Sequence, residues 1–163
     1  MAYQNYNDRN AGLNQNKTNS GSNPTNGGAG KNPIFTKCVE EGMTKDSCEI
    51  IKEKVEGSYS KINTSQLRKF FSAVKLLQQR GVTDNLSELI MLKPKLAYAV
   101  GRDKNNTDLR AFYDDMSNVI DRTYEIITVY KDKKEEKEAQ KVANNFIDLF
   151  EMIIAYHKFY AKL

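Results

Sequence analysis

Few side chains in this sequence have the type and spacing to do covalent or acid–base chemistry. His157 is the single histidine among 163 residues. It falls four residues after Ile153 in an apolar stripe, a setting in which a histidine is ordinarily packed rather than catalytic. Cys38 and Cys48 are not spaced as C-x-x-C, and one histidine cannot complete a zinc ligand set with them. A Cys–His nucleophile pair has nothing to support it beyond residue type. Asp114, Asp115 and Asp121 are a carboxylate set that a metal-dependent nuclease could use, but solvated residues on an exposed helix face explain them more simply. No glycine-rich phosphate loop is present. These residues point to a protein that is not an enzyme and that needs no cofactor and no metal.

A different chemistry is carried by Thr64–Leu77, "TSQLRKFFSAVKLL". Leu67, Phe70, Phe71, Val74 and Leu77 recur with a helical period. At about 100° per residue, Ser65, Arg68, Ser72, Lys75 and Gln79 gather on another side, with Lys69 further round. That side offers hydroxyl, guanidinium and ammonium donors and no acid, which suits a phosphate backbone: arginine forks onto it and lysine acts as a point charge. Lys61 precedes the stretch, and Lys93, Lys95, Arg102 and Lys104 follow it. Solvation alone is the competing explanation of such a face.

The elements that must position these side chains are helical. The spacing predicts a first helix from near Thr44, capped by Thr44 or Asp46 and ending at Gly57. The second is the stretch above, with Asn63 as cap, Gln66 completing a capping box and Gly81 as stop. A third runs from about Thr83 to Leu92, and Pro94 suits the first turn of a short fourth ending near Gly101. Thr107 or Asp108 caps a long fifth, striped from Leu109 to Tyr130. "KDKKEEKEAQK" is either a connection or the start of the last helix, whose stripe is Val142, Phe146, Leu149, Phe150, Ile153, His157 and Tyr160. No β alternation is evident. The expected fold is all-α, a single bundle of about five helices over residues 34–163, held by burying these stripes. Residues 1–33 are Asn-, Gly-, Ser- and Thr-rich, with almost nothing to bury, and are expected to form a flexible tail.

Composition sets outer bounds. Charged residues are 28% and hydrophobic ones 39%, ordinary for a globular chain, and the formal net charge is +4. No apolar run reaches the roughly 18 residues of a membrane span, so no membrane association is expected. The opening "MAYQNYNDRN" lacks a basic start with an apolar core, so it does not read as a signal peptide, and a reduced cytoplasmic setting is expected.

Three blocks together resemble the small subunit of the type III-A CRISPR effector, the Csm interference complex. They are "TSQLRKFFSAV", matching a T-S-Q-aliphatic-R pattern; "LKPKLAYAVGR", an aliphatic-aromatic segment ending in Gly-Arg; and "IIAYHKFY", an Ala-Tyr-x-Lys-Phe-Tyr ending. The resemblance covers about residues 35–163, and "AKL" stands where the family would place glycines. It implies a helical bundle without catalytic activity. It further implies several copies stacked as an inner filament, beside backbone subunits that hold the guide RNA and a large signature subunit, in antiviral defence. Target RNA would pair with the guide along the groove these copies line. Carried onto this chain, Arg68 and Arg102 are the first candidates for RNA contact, and Lys61, Lys69, Lys75 and Lys95 follow from charge and face. Guide pairing reads the sequence, so these side chains are expected to touch RNA backbone. Two other classes stand beside this one: a helical adaptor that binds only protein, and a helix-turn-helix DNA-binding regulator built on the helix–Gly81–helix unit.

Overall fold

The structure, a computed structural model, describes residues 33–161. These residues form six helices and no strand: α1 (Pro33–Glu41), α2 (Lys45–Ser58), α3 (Thr64–Arg80), α4 (Leu86–Arg102), α5 (Thr107–Asp132) and α6 (Glu136–Tyr160). This is an all-α bundle, as the stripes imply. The tail expected over residues 1–33 lies outside the described residues as far as position 32, while Pro33 itself opens α1.

α1 is a helix that the periodicity did not announce. Phe35, Cys38 and Val39 stand at i, i+3 and i+4 and are all buried. Nine residues hold only one such repeat, too short to stand out beside the low-complexity stretch before it. α1 lies across α5 and α6 as well as against α2.

The starts of the helices show which caps the chain uses. At α2, Ser47 N–H donates to Thr44 Oγ1 at 3.1 Å, and Thr44 N–H donates back to Ser47 Oγ at 2.8 Å, a reciprocal box centred on Thr44 rather than Asp46. At α3, Asn63 Oδ1 accepts from Ser65 N at 2.8 Å. Gln66 does not complete that box: its Oε1 is buried and has no hydrogen-bond partner among the described residues. At α5, Asn106 Oδ1 takes the Leu109 N–H at 2.9 Å, so Thr107 and Asp108 lie inside the helix. Asp108 turns instead to the Lys61 backbone N–H, at 2.9 Å.

The expected third and fourth helices are one. Pro94 sits inside α4, not at a helix start. A proline there removes a backbone hydrogen bond and costs about 3 kcal/mol or more. Leu89, Leu92, Leu96 and Val100 stay in phase across it and are all buried. At roughly 1.5–3 kcal/mol for each fully buried aliphatic side chain, the continuous stripe outweighs the break. Pro94 is itself exposed, so its ring takes no place in the core. The charged run before the last helix divides: Lys131 and Asp132 finish α5, three residues connect, and α6 begins at Glu136.

The core is aromatic at its centre. Phe70 of α3 meets Phe112 of α5 edge-on at 5.9 Å and Phe150 of α6 at 5.5 Å, and Phe112 also takes the edge of Tyr59 at 5.3 Å. Asp115 is not on an exposed face, contrary to the sequence expectation. It is buried, and its Oδ2 accepts from the Tyr59 hydroxyl at 2.5 Å and faces Lys54 Nζ at 3.3 Å. The exposed-face expectation failed because its partners, Lys54 in α2 and Tyr59 just after it, are far away in sequence. Burial, with the Asp115 charge beside it, holds the Tyr59 phenol well above its ordinary range.

Candidate nucleic-acid interface

α3 and α4 pack side by side and leave between them an open groove of about 490 Å³. Each helix contributes a row set by its own period. Gln66, Lys69 and Ala73 stand at i, i+3 and i+7 on α3, and Lys95, Tyr98 and Arg102 repeat that spacing on α4. Below them the groove is lined by Leu67, Phe70, Leu96 and Phe112, which belong to the core. The rim is therefore cationic and the lining apolar. Asp103 is the one acidic residue lining it.

The structure brings three of the six sequence candidates together here: Lys69, Lys95 and Arg102. None of the three has an ion pair among the described residues. The Arg102 guanidinium lies over the Tyr98 ring, 5.8 Å from its centroid, a contact worth about 0.5–1 kcal/mol at an exposed site.

The other three candidates are placed differently. Arg68 is exposed on the neighbouring face of α3 and does not line the groove. Lys61 is exposed beside an adjoining cleft formed with Asp103, Asn105, Asn106, Thr107 and Asp108, where two carboxylates offset its charge. Lys75 corrects the picture of a face without acids. Its Nζ is 2.5 Å from Glu151 Oε1 of α6 and 2.8 Å from Gln78 Oε1, and it also lies over the Phe71 ring. The acid comes from another helix, so a wheel drawn for α3 alone could not display it. Lys93 is likewise engaged, with both Asp121 oxygens at 2.7 Å.

Two groove residues escaped the sequence reading: Tyr98 and Gln66. Tyr98 is 68% exposed, and its signal was its place between Lys95 and Arg102 at helical spacing. Gln66 reads by position as a capping residue, and only the packing of α3 beside α4 brings it to the groove.

The residues considered for catalysis are dispersed. His157 is 1% exposed, and its Nε2 lies 3.0 Å from the Ile62 carbonyl, which can only accept, so that nitrogen donates. Burial lowers its pKa, and the carbonyl contacts oppose the shift. Cys38 is buried and its thiol is pushed up by desolvation, away from thiolate character. Among the described residues no group of three or more His, Cys, Asp or Glu side chains is arranged to hold a metal ion, and no helix is long and apolar enough to cross a membrane.

Comparison with known proteins gives a family match. The sequence model of a family described as Csm2 Type III-A matches residues 43–163, from just before α2 to the end of the chain. No curated protein and no solved structure matches.

Proposed function

This chain belongs to the Csm2 Type III-A family, a small subunit of the type III-A CRISPR complex, and from that premise we propose that it contacts the target RNA backbone through the α3–α4 groove. In this reading it is a non-catalytic subunit that stacks in several copies beside the guide-bearing backbone subunits and the large signature subunit, and acts in the cytoplasm in antiviral defence. Guide–target pairing supplies the sequence information, and this subunit supplies charge along the strand.

The observation that supports the reading is the convergence of Lys69, Lys95 and Arg102 on one groove, with no ion pair to occupy them among the described residues. A basic side chain already matched by a neighbouring acid gains little from a phosphate, whereas among the described residues these three are matched by none. Arg68 extends the same charge to the next face of α3. Backbone contact has a thermodynamic signature. Each phosphate neutralised on a single strand adds about −0.7 to the slope of log affinity against log salt.

The test is a salt titration of target-RNA affinity with the reconstituted complex, comparing the parent with Lys95→Gln and Arg102→Gln. Each substitution should flatten the slope by about one phosphate contact while leaving the melting temperature unchanged. Identical slopes in parent and variants would remove the groove from the RNA path. Such slopes are also the outcome that the protein-only adaptor reading requires.

A further inference from the structure

The backbone reading leaves the inside of the groove without a role. A phosphodiester chain needs cations at the rim, but it has no use for a lining of Leu67, Phe70 and Leu96. Tyr98 adds an exposed aromatic face beside the opening, with Arg102 already lying on its ring. The volume of about 490 Å³ is that of a small-ligand pocket.

We propose that the groove receives one unpaired nucleobase of the bound RNA strand, with Lys69, Lys95 and Arg102 holding the adjoining phosphates. The proposal rests on the RNA reading above and deepens it. An apolar lining accepts the face of a heterocycle, and a tyrosine at the mouth stacks on it. Bases in the guide–target duplex have both edge and face engaged, so the occupant is an unpaired nucleotide, held chiefly by stacking and therefore with little sequence preference. Charge complementarity selects a nucleotide over an uncharged ligand: the rim carries three cations against the single carboxylate of Asp103.

The experiment titrates the full chain, at one salt concentration, with a labelled short oligocytidylate and with an abasic ribose–phosphate strand of equal length. The abasic strand presents the same phosphates and no base. One stacked base should make the oligocytidylate bind roughly 5- to 150-fold more tightly. Tyr98→Ala should narrow that ratio, whereas Lys95→Gln should weaken both strands alike and preserve it. Equal binding of the two strands overturns the base pocket and leaves backbone contact standing. Failure of both strands to bind removes both readings. A ratio unaffected by Tyr98→Ala places the base elsewhere and also overturns the proposal. So does displacement of the oligocytidylate by cytidine monophosphate at matching concentration, which would make this a site for free nucleotides.

Discussion

Replacing Phe70 with alanine removes the ring on which three helices converge. Phe70 is 7% exposed and touches the rings of Phe112 and Phe150. Truncating a buried phenylalanine costs about 3–5 kcal/mol, part of it from the cavity left behind. Here the vacated space adjoins the α3–α4 groove, which is open to solvent. The cost therefore falls toward the lower figure, and about 3 kcal/mol in a domain of this size lowers the Tm by roughly 10 °C. Arg68, two residues away, is exposed and has no ion pair among the described residues. Only its backbone carbonyl is engaged, by the Ser72 hydroxyl at 2.9 Å, and alanine supplies the same carbonyl. Arg68→Ala should stay within about 0.5 kcal/mol of the parent and lose only target-RNA affinity. Far-ultraviolet circular dichroism melts of both variants, with RNA affinity per folded complex at fixed salt, separate the two faces. If Arg68→Ala melts as early as Phe70→Ala while its RNA affinity is intact, Arg68 is a structural residue and the outward assignment of that face is wrong.

Three further substitutions probe features that the fold exposes. Tyr59→Phe leaves Asp115 buried without its hydroxyl donor and should cost about 1–3 kcal/mol in a denaturant titration, even though Lys54 remains beside it. Pro94→Ala restores an N–H to the middle of α4 and should raise the Tm, with a gain of up to about 3 kcal/mol; a fall would mean that the rigid ring is needed in place. His157 is neutral in the folded chain because burial lowers its pKa below the ordinary 6.5. The unfolded chain therefore binds the extra proton first: the His157 contribution is complete above about pH 6.5 and is lost as pH falls through the depressed folded value. Melts across that range should show the Tm declining with acid, and His157→Gln, whose amide can still donate to the Ile62 carbonyl, should flatten the decline.

How much could be read from the chain alone depended on whether a feature lives within one helix or between helices. The stripes of α3, α5 and α6 were legible because each spans several turns and its period repeats. α1 was not, since Phe35, Cys38 and Val39 make a single repeat. Pro94 misled because local chemistry favours proline at a helix start, and the stripe that overrides it gains its energy only from tertiary packing. Asp115 and Lys75 each take their partner from outside their own helix, Tyr59 just after α2 and Glu151 on α6. Lys69, Lys95 and Arg102 were identified as basic candidates by residue type. That they face one groove, with Tyr98 and Gln66 among them, required knowing that α3 and α4 lie side by side.

The packing of α1 across α5 and α6 also has a meaning in time. A chain is made from its N-terminus, so α1 and α2 emerge from the ribosome before the helices that cover them exist. Among the described helices, the first to be synthesised is buried by the last: Phe35, Cys38 and Val39 have no complete core to enter until α6 has been released. The bundle cannot be finished piece by piece from its front end. At synthesis rates of about 5–20 residues per second, the apolar side of α1 waits roughly 6 to 24 seconds for its lid. During that interval the growing chain is open to other partners, and any interruption before α6 leaves the front of the molecule uncovered.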